Sequence, residues 1–368
     1  MAQRRLRGLQ VQLRSVHADL SSAAQTEPEK LRSPWSDDDG SIRAAWRHGD
    51  SAAYARGDRK KTFAVLSEAD HEFFEREGWV LIHNAVPREN VEAMKNATWK
   101  FLGMDPADPE TWYRQGHSGM VQLYQDQTQW DNRAHPRVHQ AFADLFGTEK
   151  LWCSFDMTHM KPPARAPHWD SGGFVHWDLG EDILRQPLHL RVQGELLLED
   201  MPANAGGFQC ISGFHLRVAD WAAQQPEGAP VRVPSLDDPF MAGEKLTHVE
   251  GKAGDLLIWH SFLPHGSCRN ESMQPRMMQL ITMFPYDSHS TFKTNYLGKT
   301  PTTLEDERER RVAMWRERLH LASFDGAWDP KVNRYHTTGF GGARELTPAT
   351  PAVLSELGEK LLGLRPWE

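Results

Sequence analysis

With 368 residues, 39% of them hydrophobic and 25% charged, the chain has the composition of a globular protein long enough to bury a large core. A net charge of −8 gives no basis for a nucleic-acid partner, and no apolar run approaches the roughly eighteen residues that span a bilayer. The cysteines Cys153, Cys210 and Cys268 are too few and too scattered for a disulfide framework, and they suit a reducing cytoplasm.

Residues 1–60 are polar, with Arg4, Arg5, Arg7 and Arg14 at the start and the acidic cluster Asp37-Asp38-Asp39 further on. No hydrophobic secretory core follows the arginines, so a loosely ordered, solvated arm is expected. The first element begins at Ser67, which has capping-box spacing to Asp70 ahead of Phe73 and Phe74. Gly78 is placed to end that helix, and Trp79-Val80-Leu81-Ile82 reads as a strand. Pro87 marks the entry to a second helix with Val91, Met94 and Thr98 on one side, and Pro136 to Phe146 reads as another, stopped by Gly147.

The texture changes at Leu151. Short apolar runs separated by Pro, Gly and Asn follow: 152–157, 192–198, 208–211, 255–259 and 277–284. Such spacing predicts a β-sandwich or barrel rather than alternating β-α-β units. Residues 224–239, rich in Pro, Asp and Gly, read as an insertion loop. A charged helix over 304–319 and a closing helix carrying Leu354, Leu357, Leu361 and Leu362 complete the chain. The expected domain plan is an arm (1–60), a core (61–300) with an insertion near 217–250, and a helical extension (301–368) packed on that core.

Within the core, His176-Trp177-Asp178 is followed far along the chain by His265-Gly266-Ser267, and by Arg276 eleven positions beyond His265. Alternate residues of a strand share a face, so His176 and Asp178 can both point inward while Trp177 points away. Two imidazoles and a carboxylate form the facial set that holds ferrous iron and leaves coordination positions open. His168-Trp169-Asp170 has the same form, and residue chemistry alone does not choose between the copies. The first lies among Pro162, Pro163, Pro167 and Gly172-Gly173, as a loop would; Phe174-Val175 leads into the second, as a strand would. His260 ends the apolar run before His265 and reads as a structural histidine. Arg276, in the run Pro275-Arg276-Met277-Met278, is expected to be partly buried, where a guanidinium needs an anionic partner such as a carboxylate cosubstrate. A hairpin turning at Arg269-Asn270-Glu271-Ser272 is expected to bring it beside the metal, with Ser267 adding a hydroxyl. Trp169, Phe174 and Trp259 are candidates for an apolar lining. Lys161 and Arg165 lie just before the site, either meeting an acidic substrate or forming an ordinary solvated loop.

Together these motifs resemble the phytanoyl-CoA dioxygenase family. So do the glycine-rich strand pair (Gln193-Gly194-Glu195-Leu196-Leu197-Leu198 with Gly206-Gly207-Phe208-Gln209-Cys210-Ile211-Ser212-Gly213-Phe214-His215) and the Phe73-Phe74-Glu75-Arg76-Glu77-Gly78-Trp79 entry. The resemblance implies an α+β fold, mainly β with flanking helices, around a double-stranded β-helix (jelly-roll, cupin-like) core. It implies iron(II) held by His176, Asp178 and His265, and 2-oxoglutarate as cosubstrate bound by Arg276 and Ser267. The activity it implies is hydroxylation, or another oxidation, of an unactivated C–H bond of a small organic molecule. Dioxygen is consumed and succinate and carbon dioxide are released, with neither nucleic acid nor membrane as partner. A cupin-like metal protein without oxygenase activity, or a ligand-binding jelly roll, is the alternative; it would have no need of Arg276.

Overall fold

The computed structural model describes residues 63–113, 119–121, 123–165, 169, 172–173, 175–176, 191–222, 224, 241, 243–286, 304–316, 327–329, 334–336 and 351–368. These belong to the compact unit Asp39–Glu368. The polar arm and the insertion loop beyond Gln224 fall outside the described residues.

Helix α1 (Glu68–Glu77) begins as its sequence dictates. The Ser67 hydroxyl accepts from the Asp70 amide while the Asp70 carboxylate accepts from the Ser67 amide, so two otherwise unpaired donors are satisfied. Gly78 closes the helix at φ +80°, and strand β1 (Trp79–Ile82) starts immediately. Helix α2 (Arg88–Leu102) buries Val91, Met94 and Thr98, the predicted stripe. A short helix that the sequence reading missed, α3 (Gln127–Arg133), carries its own capping box between Asp126 and Gln129. Helix α4 (Pro136–Phe146) ends at Gly147 in the left-handed region. On it, the Asp144 carboxylate accepts the backbone amides of Ala64, Val65 and Leu66 and ties down the start of the described chain.

The main sheet has six antiparallel strands: β1, β8 (Leu256–His260), β5 (Val192–Leu197), β10 (Arg276–Leu280), β4 (Thr158–Lys161) and β2 (Met120–Val121), in that order. A second sheet runs β7 (Thr247–His248), β6 (Phe208–Cys210), β9 (His265–Ser267). Two strand pairs, β3 (Leu151–Cys153) with β11 (Met283–Pro285) and β12 (Ala327–Asp329) with β13 (Arg334–His336), complete the β structure of the described residues. The two larger sheets meet through Phe208 and Trp259, whose rings lie 4.7 Å apart, and form the jelly-roll core. Strand alternation gives the main sheet two unlike faces. Val80, Met160, Leu196, Ile258 and Met277 pack with Met94, Val138 and Phe142 of the helices in one hydrophobic cluster. The opposite face, turned toward the second sheet, mixes apolar residues such as Leu257 and Met278 with a buried polar group.

Two expectations are corrected here. The run 277–284 is two strands in different sheets, because the chain leaves β10 at Ile281-Thr282 to pair with β3. Nor do β9 and β10 form a hairpin: β9 pairs with β6 and β10 with β4 and β5, so Arg276 reaches the interior by a crossing between sheets.

After the short helix α5 (Val218–Ala222), helices α6 (Leu304–Arg316) and α7 (Glu356–Leu362) are joined by Arg311, which is fully buried. Its guanidinium donates to the carbonyls of Leu361, Leu362 and Cys153 and lies over the rings of Trp152 and Phe155. The last carbonyls of α7 thereby find the donors that a helix end lacks. Arg308 donates to the Gly363 carbonyl in the same way. Among the described residues, no helix is long and apolar enough to cross a membrane.

Beneath Gly78 lies a pair of buried imidazoles. His215 and His260 stand 5.0 Å apart, and a Cβ at position 78 would come within 2.5 Å of His215 Nδ1. Burial pushes His215 down to about 4 and holds His260 well below the ordinary histidine range; neighbouring Glu77 opposes the shift at His215 only weakly. Since the folded state takes up this proton less readily than the unfolded chain, the stabilisation is complete above about pH 6.5 and is lost as pH falls toward 4. Denaturant unfolding at pH 7.5 and 4.5 is expected to show a loss on the order of 3 kcal/mol attributable to His215. The His215→Gln variant should show a correspondingly flatter profile.

Candidate active site

The buried polar face of the main sheet is built by period-two alternation within otherwise apolar strands. Gln193 and Glu195 on β5, Trp259 on β8, Arg276 on β10 and Lys161 on β4 all fall on it, and all are buried. Arg276 and Lys161 are direct cross-strand partners. One Arg276 terminal nitrogen donates to Glu195 Oε2 at 2.9 Å, in an ion pair whose side chains are 6% and 2% exposed. Burial pushes the Glu195 carboxyl up, against the pull of the Arg276 charge and hydrogen bond. The Arg276 Nε and the second Glu195 oxygen have no hydrogen-bond partner among the described residues. Burial likewise lowers the Lys161 ammonium to about 8, with the Arg276 charge contributing.

Across the interior, β9 presents His265. Its Nδ1 lies 2.9 Å from the Leu263 carbonyl, which only accepts, so the proton sits on Nδ1 and the lone pair on Nε2. The Phe208 ring stacks near His265 at 5.9 Å and Trp259 lies 5.2 Å away, a dry wall around the imidazole. Gly173 and His176 lie beside β9, His176 in an antiparallel bridge. The Gly173 amide donates to Ser267, the His176 amide donates to the His265 carbonyl at 2.7 Å, and the His265 amide donates back at 3.0 Å. The approach is close: a Cβ at Gly172 would meet the Arg269 amide nitrogen at 2.6 Å. His176 and His265 thus stand side by side with ring centroids 4.6 Å apart. Ser267 shares its strand face with His265 and is partly exposed.

Of the sequence-predicted site residues, the structure brings together His176, His265 and Arg276, with Ser267 on the same short strand as His265. Asp178, His168, Asp170 and Phe174 lie outside the described residues. Trp259 faces the interior, whereas Trp169 packs edge-on to Tyr113. His260 is a packed core histidine whose Nδ1 accepts the Phe262 amide. The solvated-loop alternative is corrected for Lys161, which ends β4 and is buried. Arg165 is exposed, paired with Glu110 at 3.1 Å. Glu195 was missed as a site residue, though its signal was present: polar residues at 193 and 195 alternate with apolar ones in a run that otherwise reads as core.

Comparison with known proteins places this architecture. The family model for phytanoyl-CoA dioxygenase matches residues 74–278, more than half of the chain, and includes every site residue named above from Lys161 to Arg276. The chain belongs to the phytanoyl-CoA dioxygenase family. As a member it is a 2-oxoglutarate-dependent non-haem iron enzyme, with iron(II) as its metal and 2-oxoglutarate as its cosubstrate. Family members act with dioxygen on small molecules. Among its relatives is a Dictyostelium discoideum protein named "Putative phytanoyl-CoA dioxygenase", 24% identical over 261 residues, covering 58% of this chain and 74% of that one. Ava biosynthesis cluster protein O of Aspergillus versicolor is 28% identical over 243 residues, covering 58% and 76%. In fold, the chain is similar to GlcNAc Inducible Gene 2 (DUF1479) of Candida albicans, with a TM-score of 0.57 at 12% identity over 89% of this chain and 86% of that one.

The residues present fit the family's cosubstrate. A buried guanidinium whose Nε has no partner among the described residues, on the wall opposite two adjacent imidazoles, provides donors for a carboxylate. The Arg276–Glu195 pair is also a structural necessity. Glu195→Ala, which leaves Arg276 a buried cation without its anion, is expected to lower folding stability by about 3 kcal/mol in denaturant unfolding. Glu195→Gln, which keeps an acceptor for the same nitrogen, should lose less.

Proposed function

We propose that this enzyme hydroxylates, or otherwise oxidises, an unactivated C–H bond of a small organic molecule, with iron(II) held by His176, Asp178 and His265. The observation that carries this reading is the pairing of His176 with His265 through two backbone hydrogen bonds, on the wall facing buried Arg276. It favours His176-Trp177-Asp178 over His168-Trp169-Asp170, because the second copy is the one bridged to the distal histidine. The His-any-Asp spacing of His176 and Asp178 is that of two residues sharing a strand face, which suits Asp178 as the proposed third ligand.

When bound, iron(II) with 2-oxoglutarate and dioxygen supplies the oxidising power for the C–H bond, and the keto acid leaves as succinate and carbon dioxide. The chain's own residues orient and shield. The Leu263 carbonyl holds the His265 proton on Nδ1 and so keeps Nε2 aimed as a ligand. Arg276 offers its free donor to the far carboxylate of the keto acid, with Ser267 as a hydroxyl donor to the same group. Phe208 and Trp259 keep bulk water from the His265 imidazole. A carboxylate at 178 fills the position that a halide would need, which favours hydroxylation over halogenation.

Anaerobic titration of iron(II)-loaded protein with 2-oxoglutarate tests this directly through the weak visible charge-transfer band of the chelate. Wild type is expected to develop the band. Arg276→Lys, which keeps the charge beside Glu195 but loses the planar fork, should need about tenfold more 2-oxoglutarate or above. A metal-loaded wild type that shows no band would overturn the proposal, as would Asp178→Gly with unchanged turnover.

A further inference from the structure

We infer that Arg191, with the Trp259 indole N–H beside it, anchors an anionic oxygen group, a carboxylate or a phosphate, on the molecule that this enzyme oxidises. This inference rests on the oxygenase reading above and deepens it by naming a substrate class.

Strand pairing places Arg191. The Ser261 amide donates to the Arg191 carbonyl at 2.9 Å, one step beyond the pairing of Val192 with His260, so the β5–β8 ladder runs on through Arg191. By period-two alternation Arg191 then shares the interior face with Gln193 and Glu195. Trp259, the cross-strand partner of Gln193, is its diagonal neighbour. This end of the wall is remote from the arginine at the other end. Met278 pairs with Leu197, roughly 20 Å along β5 from Arg191, and Arg276 lies two residues further still. At the near end, Trp259 stands 5.2 Å from the His265 ring.

Two donors here lack an acceptor. Among the described residues the Arg191 guanidinium has neither a hydrogen-bond nor an ion-pair partner. Yet Arg191 is only partly exposed, and burial alone lowers its guanidinium to about 10. The Trp259 Nε1–H is buried and unpartnered as well, whereas the indoles of Trp79, Trp112, Trp130 and Trp367 each donate to an oxygen. Glu195, the carboxylate on the same face, is held by Arg276 instead. A desolvated cation next to an N–H without an acceptor is costly unless an anion meets both. The oxygens of one carboxylate or phosphate do so, beside His265 and away from Arg276.

The alternative is a strand-entry arginine that holds no ligand. Anaerobic calorimetry on the iron(II)-loaded protein, saturated with 2-oxoglutarate, separates the two with probes of one shape: benzoate, phenyl phosphate and neutral benzamide. Their flat ring suits the Phe208 and Trp259 wall. At least one of the anions should bind about tenfold or more tighter than benzamide, and the tighter anion tells a carboxylic acid from a phosphate ester. Arg191→Gln should abolish this preference and Arg191→Lys should keep part of it, with 2-oxoglutarate affinity unchanged in both. Trp259→Phe, which keeps a ring and loses the donor, should weaken the preferred anion by about three- to tenfold. No binding of any probe, equal binding of benzamide, or a preference that survives in Arg191→Gln overturns the inference. Unchanged anion affinity in Trp259→Phe removes Trp259 from the site. If 2-oxoglutarate does not bind the iron(II)-loaded wild type, the oxygenase reading itself fails; with 2-oxoglutarate bound, the outcomes bear on Arg191 and Trp259 alone.

Discussion

Two backbone hydrogen bonds, His176 to His265 and back, hold together segments that are far apart in sequence. The rest of the site follows from them. They fix the spacing of two imidazoles at 4.6 Å, hold His176 in an antiparallel bridge beside β9, and favour a glycine at 172 where the backbones nearly touch. A side-chain contact alone would leave both rings free to rotate. A backbone bridge leaves each imidazole only its own rotamers, and the Leu263 carbonyl then selects the tautomer of His265.

Opposite this bridge the main sheet does two different jobs with its two faces. One is apolar and packs on α2 and α4, which gives the sheet its rigidity. The other carries Gln193, Glu195, Arg276 and Lys161, all buried. Packing the same face with aliphatic residues would be cheaper, since buried ion pairs contribute little to stability and cost much when broken. A polar wall of this kind makes physical sense where a charged molecule completes it, and the family's cosubstrate is a dicarboxylate. The rigid apolar face and the polar face are thus one design: the first holds the second in place.

Much of this was legible in the sequence where the signal was local. Ser67 with Asp70, Gly78 and Gly147 marked helix ends because capping is decided by a few adjacent residues. His176, His265 and Arg276 stood out because the chemistry proposed for them restricts residue type, and the structure sets His176 beside His265. What local signals did not carry was pairing. The crossing of the chain between β9 and β10 looked like a hairpin, since turn residues at 269–272 say that the chain reverses but not which sheet it joins. Lys161 looked like a loop residue because proline follows it at once, yet the strand ends on the lysine itself. Glu195 was readable by its alternation with apolar neighbours, but its role depended on knowing that β10 lies beside β5.

The central claim is that the bridged histidines form the iron site, and the most direct measurement is the iron(II) stoichiometry of the purified protein by anaerobic equilibrium dialysis. The account predicts about one ion per chain in wild type and loss of tight binding in His265→Ala, with the fold retained by circular dichroism. Wild-type iron binding in a folded His265→Ala variant would contradict it and place the metal elsewhere.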